Sequence, residues 1–359
     1  MNNKRNIFEN IYELILSRNL IEKRKDIVRK KRIYYNKEKK GLVAMKKKYQ
    51  TLALLSVSTI AGLHLINNLF YSYAKSKEIL NKTENNYYDW RFGRIRYQKK
   101  GSGEPVLLIH DLDIGSSSFE FYKLADELAK TNEVYTMDLL GFGLSDKPSF
   151  TYTNFLYVQL AVDFIKNIIG KKTTLITTGE AVSIGVMTCH INPEMIKNLI
   201  FINPANLSKF NQIPNRRSKI NKYLIEAPIM GTFIYNMISN KENIVKTFKQ
   251  KYYYDFENSK PEEVYAYLEA AHLNDYNSKF TYASLVGRYL NISIYHALKN
   301  IDHSIMILFG ESCDNWEIIK DSYLFCNSAI EAYSISETKK LPQLEKPEEV
   351  AEKCSIYLS

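Results

Sequence analysis

The 359 residues carry 45% hydrophobic and 13% aromatic side chains, ample for a large core. The formal net charge of +10 is unevenly placed: residues 1–48 hold 16 Lys and Arg against 5 Asp and Glu, leaving 33 against 34 for the rest. A near-neutral body argues against a nucleic-acid-binding protein, which would carry its own basic face.

The chain opens with this basic arm (1–48), in which Ile7, Phe8, Ile11, Tyr12, Leu14 and Ile15 fall on one helical face. Met45-Lys46-Lys47-Lys48 before an apolar run resembles the start of an exported protein, so residues 1–44 read either as a cytoplasmic arm or as a segment upstream of the true start. No charged residue stands between Lys48 and Lys75. A stretch of that length spans a bilayer as one helix, and we assign 49–74 to a transmembrane or signal-anchor helix. Lys46-Lys47-Lys48 then hold the N-terminus in the cytoplasm and put the body outside. The alternative is an amphipathic helix lying on the membrane or on the body, and His64, Asn67 and Asn68 speak for it.

Residues 75–87 are polar and read as a linker. Two alternating runs about Gly93, from Tyr88 to Tyr97, predict a hairpin. Pro105 to His110 is a continuous apolar run, the mark of a strand buried on both faces. Then follow a helix (118–130), a strand (133–138), a helix (157–169), a strand (173–178), a helix (182–191) and a strand (199–203). Two more strands (304–310 and 330–334) and a closing helix (347–358) complete the alternation. Such a pattern predicts an α/β fold with a doubly wound, mostly parallel sheet, built from 88–203 and 302–359. Residues 204–301 interrupt it with a helical, aromatic-rich insertion, expected to form a cap over the C-terminal ends of the strands.

Gly179-Glu180-Ala181-Val182-Ser183 lies at a strand-to-helix junction, where small residues permit a tight turn that exposes its central side chain. Leu107 to Asp111, Met137 to Pro148, the 179–183 turn, Phe201 to Pro204, Phe309-Gly310-Glu311 and Leu341 to Glu349 occur in the order and spacing of the α/β-hydrolase fold family, which the body resembles from about Tyr88 onward. The second of these, Met137 to Pro148, is very close to the family's Asp-x-x-Gly-x-Gly-x-Ser turn.

The resemblance implies a catalytic triad in the chain order nucleophile, acid, histidine. Its positional equivalents here are Ala181, Asp314 (offset by one residue) and Lys340; a gapless shift of the turn puts Gly179 in the nucleophile position instead. Neither Ala nor Gly attacks a carbonyl, and Lys is no ordinary general base. Ser183 points away from the turn's centre, and His110, His190 and His303 read as structural. Asp111 replaces the glycine expected after His110, leaving the backbone N–H groups of Leu112 and Val182 as the oxyanion-hole donors, with His110, Asp111 and Glu180 as further pocket residues. The four scattered cysteines show no metal spacing, and neither a metal nor a cofactor is expected. The resulting expectation is a membrane-anchored protein without serine-hydrolase activity that binds a small apolar or ester-like ligand, or a partner. The alternatives are an active hydrolase on ester or lipid-like substrates working through non-standard residues, and non-hydrolytic chemistry built on the retained carboxylate.

Overall fold

The computed structural model describes residues 2–82, 85–273 and 277–358; Thr83 and Glu84 of the expected linker and 274–276 of the expected cap lie outside them, as do the side chains of Ile7, Phe8, Ile11, Tyr12 and Ile15. The chain divides into two compact units, Met1–Gly62 and Leu63–Ser359. The first is helical from Asn2, and from Leu16 its described side chains are exposed around the whole circumference. This helix ends at Lys75, and its segment from Leu16 contains a window long and apolar enough to cross a membrane.

Within the second unit, the last turns of that helix are packed on protein. Asn67 is buried; its Nδ2 donates to Ile229 O at 3.1 Å and its Oδ1 accepts from Asn236 Nδ2 at 2.9 Å. Ala74 is buried against Phe248 and Tyr252 of the insertion. Within the apolar run expected to end at residue 74, Asn67 and Ala74 are thus covered by protein, whereas Leu69 and Tyr73 stay exposed.

Eight strands form one sheet in the order β1-β2-β4-β3-β5-β6-β7-β8. They are β1 (Asn86–Trp90), β2 (Gly93–Lys100), β3 (Glu104–Ile109), β4 (Asn132–Met137), β5 (Thr173–Thr178), β6 (Ile196–Ile202), β7 (Ile305–Gly310) and β8 (Ile330–Ile335). The expected hairpin is β1–β2; β2 runs antiparallel to β4, and all later pairings are parallel.

Strand alternation divides the core in two. Leu107, Ile109, Met137, Leu175, Leu199, Phe201, Ile305 and Ile307 face helices Asn154–Phe164 and Val182–Ile191. Val106, Leu108, Val134, Ile176, Ile200, Met306 and Leu308 face helices Tyr122–Leu128 and Pro347–Leu358. The helix expected at 157–169 starts earlier, at Asn154, because Thr153 caps it by accepting the Leu156 N–H. A helix not foreseen from sequence, Trp316–Cys326, crosses from β7 to β8.

The glycine turn after β4 has its own geometry. Asp138, buried, accepts from the Ser118 N–H (2.7 Å) and the Leu144 N–H (2.8 Å), and the Gly143 backbone lies so close that a Cβ there would overlap the carboxylate. Gly143 has φ +45°, a conformation that costs glycine little. Between Pro204 and Ile301 the described residues form helices and turns, the longest being Arg216–Glu226 and Pro261–His272. This insertion meets the strand ends directly: Tyr252 donates to Asp113 (3.1 Å), just beyond β3, and Tyr267 to Glu120 (3.0 Å).

Candidate functional site

β5 delivers the chain into the turn Gly179–Ala181 and then into the helix Val182–Ile191, the tight strand-to-helix junction expected from sequence. The left-handed residue is Gly179, with φ +57°, whereas Ala181 is helical at φ −66° and wholly buried in the core. The strained position of a nucleophile-bearing turn thus belongs to residue 179, two before the Ala181 equivalence. That position has no side chain at all.

Asp111 fills the space. A Cβ placed on Gly179 would overlap Asp111 Cγ and both carboxylate oxygens. Asp111 Oδ1 accepts the backbone N–H of Leu112 and of Glu180, each at 2.7 Å. Leu112 is thus a donor into the site, as expected. The second donor is Glu180 rather than Val182, whose N–H turns to Glu180 O, because the residue after the left-handed position is the one whose amide points back over the strand end. Two converging N–H groups are the equipment with which an oxyanion hole stabilises developing negative charge. Here they hold a carboxylate of the chain itself.

The carboxylate's other oxygen meets Lys340. Lys340 Nζ lies 2.7 Å from Asp111 Oδ2, 3.6 Å from Asp113 Oδ2, and 5.2 Å from the Tyr252 ring centroid. Burial would raise the Asp111 pKa, but the Lys340 charge and the two N–H bonds outweigh it and hold the carboxyl below its usual range. For Lys340, burial opposes the charge, while Asp111, Tyr252 and Asp113 raise its pKa well above the ordinary lysine value. The ammonium is consequently no base. Its loop is fixed by Asn203 at the end of β6, itself left-handed at φ +44°: Nδ2 donates to Lys339 O (2.9 Å) and Lys340 O (3.0 Å), and Oδ1 accepts the Gly310 N–H (2.9 Å).

Glu120, which sequence did not single out, completes the cluster. It is fully buried and accepts from the Asp111 N–H (3.2 Å), Thr178 Oγ1 (3.3 Å) and Tyr267 OH (3.0 Å). Burial, with the Asp111 charge next to it, pushes its pKa up to about 7.

The remaining sequence candidates fall as follows. Asp314 is exposed and forms no hydrogen bond or ion pair among the described residues, though it lines one cavity of about 220 Å³ with Lys340. The structure therefore joins Lys340 to Asp111, and not to Asp314. Glu180 pairs through its side chain with Lys209. His110 is buried, its Nε2 accepting the Leu139 N–H (3.0 Å) and its Nδ1 meeting Asp111 O (2.7 Å), so it is a neutral structural ring whose pKa burial lowers. His190 is exposed on the elbow helix, and His303 meets Pro193 O at 3.0 Å. The Ser183 hydroxyl donates to Glu180 O and accepts from Asn154. Ser239 and His272 lie 3.2 Å apart inside the insertion, but both are buried and the hydroxyl donates to Tyr235 O, so no substrate reaches them. The four cysteines are free thiols, and no metal-holding group of side chains occurs among the described residues.

No protein-family model matches the sequence. Among curated proteins, the chain is 34% identical over 142 residues to the 2-hydroxy-6-oxo-6-(2'-aminophenyl)hexa-2,4-dienoic acid hydrolase of Metapseudomonas resinovorans, covering 37% of this chain and 48% of that protein. It is 26% identical over 117 residues to the 2-hydroxymuconate semialdehyde hydrolase of Pseudomonas sp. (strain CF600), covering 32% and 41%. The chain thus spans less than half the length of these relatives. Among solved structures, a serine hydrolase involved in carbazole degradation (CarC enzyme) superposes with a TM-score of 0.61 at 17% identity, over 77% of this chain and 98% of that one. A membrane phospholipase A, a bacterial virulence factor, gives 0.61 at 20% identity over 87% and 98%. At these identities the likeness is one of fold.

Two variants test the cluster. Gly179→Ser should cost on the order of 2 kcal/mol or more in urea unfolding, from the left-handed backbone and the overlap with Asp111; a neutral substitution would refute the packing. For Glu120, a folded pKa raised from 4.5 to about 7 contributes stability below pH 4.5 that is lost as the pH rises toward 7. Glu120→Gln should therefore gain stability relative to the parent on going from pH 4.5 to pH 8. Asp111 acts in a separate window: its depressed pKa gives stability above about pH 4 that is lost on further acidification.

Proposed function

The chain belongs to the α/β-hydrolase family, and we propose that within it this is a non-hydrolytic member, tethered to a membrane, that acts by binding a small ligand. One observation carries the reading: the Asp111 carboxylate occupies the oxyanion hole over a side-chain-less residue 179, locked there by Lys340. Serine-type acyl transfer needs a nucleophile, a base and an empty pair of donors. Here glycine stands for the first, an ammonium for the second, and an internal anion fills the third. The runner-up is an active hydrolase working through other residues. What favours it is that the two curated relatives are hydrolases, matched over under half of their length.

The tether is read from the uncharged run after Lys46-Lys47-Lys48, with the N-terminus in the cytoplasm and the body outside. We assign Tyr49–Ile66, the uncharged run before the docked Asn67, to the lipid. Eighteen residues of helix rise about 27 Å, close to the hydrocarbon thickness of a bilayer.

Two measurements check this. A fluorophosphonate probe should leave the protein unlabelled, and p-nitrophenyl acetate should be turned over no faster than by a denatured control. Turnover abolished by a single substitution would instead establish the hydrolase. Protease added to intact cells should degrade the body; complete protection would reverse the orientation.

A further inference from the structure

The cavity of about 220 Å³ beyond the ends of β6, β7 and β8 is distinct from the filled oxyanion hole. One wall is apolar, made by Pro204, Phe309, Trp316 and Ile319, with the Phe309 and Trp316 rings 5.9 Å apart. The same lining carries Lys251 and Lys339. Neither lysine forms a salt bridge among the described residues, and the Glu345 carboxylate beside Lys339 is occupied by the backbone N–H groups of Tyr254 (2.6 Å) and Lys339 (2.8 Å). Lys340 also reaches the cavity, but its charge is matched by Asp111. Asp314 is the one carboxylate of the lining, against the three lysines.

We propose that this cavity binds a small organic monoanion, a carboxylate on a flat apolar body, with the body against Phe309 and Trp316 and the carboxylate between Lys251 and Lys339. The inference rests on the ligand-binding reading above and supplies its ligand class. Two ammonium groups and an aromatic pair lining one cavity recognise both halves of such a molecule at once. Either half alone leaves part of the lining uncovered. A volume under the roughly 300–1,000 Å³ of drug-sized pockets keeps the ligand small. The floor is fixed before the ligand arrives, since Asn203 ties the Lys339-Lys340 backbone to β7.

The test uses the full chain in lipid nanodiscs, with Trp90→Phe leaving Trp316 as the sole tryptophan reporter. Titration with 2-naphthoate should quench Trp316 saturably, whereas the neutral 2-naphthalenemethanol and inorganic phosphate should bind at least about tenfold more weakly, the worth of one charge-assisted contact. Lys251→Gln with Lys339→Gln should bring naphthoate down to the affinity of the neutral analogue. Equal binding of the neutral analogue, equal binding of phosphate, or an unchanged double variant would each overturn the assignment. Ester turnover, read separately on the parent protein, reports on the non-hydrolytic reading: its appearance would sink that reading while leaving the naphthoate result to stand or fall on the two lysines.

Discussion

The organisation of the strand ends depends on one buried charge, Asp111. Its carboxylate is anchored by the amides of Leu112 and Glu180 and by the Lys340 ammonium, so that the segments after β3, β5 and β8 all contribute to it. Taking a carboxylate out of water costs several kcal/mol, and only a full set of partners offsets that. The arrangement is therefore demanding as well as stabilising. Each of the β3, β5 and β8 connections must keep its place for the charge to stay satisfied, and Glu120, set against Asp111 from behind, is left with a carboxyl that resists ionising.

The same edge shows how much of such a site is set by the backbone. Converging N–H donors follow from backbone path alone: the left-handed residue 179 and the start of the following helix aim the Glu180 amide inward whatever the side chains are. A glycine at 179 leaves these donors in place. An empty pair of buried donors would be unsatisfied, and a side chain of the protein now meets that need.

Much of the fold was legible because it is written in periodicity. Apolar runs at 105–110, 199–203 and 304–310 gave β3, β6 and β7 with shifts of a residue or a few, and the alternation about Gly93 gave the β1–β2 hairpin. The helix Trp316–Cys326 escaped because the exposed apolar residues Ile318 and Phe325 blur the stripe made by Trp316, Ile319, Tyr323 and Cys326. The site was legible in kind and misplaced in detail. Lys340 and Asp111 stood out as unexpected residue types at family positions. Their ion pair did not, because a sequence gives no distance between positions more than two hundred residues apart. The two-residue choice between Ala181 and Gly179 turned on a backbone angle, which small residues on either side leave undetermined. Glu120 was invisible for another reason: a lone glutamate at a helix start is normally solvent-facing, and only Tyr267 from the insertion closes over it.

The overlap between a side chain at 179 and the carboxylate at 111 has a historical consequence. The two are mutually exclusive occupants of one volume, so a sequence bearing both would be selected against before either could be tested for use. A path that changes one of these residues at a time passes either through a form with both, destabilised by the overlap, or through a form with neither. From here that path is also uphill, since removing Asp111 strands Lys340 and adding a side chain at 179 displaces Asp111. Such a ratchet makes the present state durable under drift, quite apart from what the protein now does.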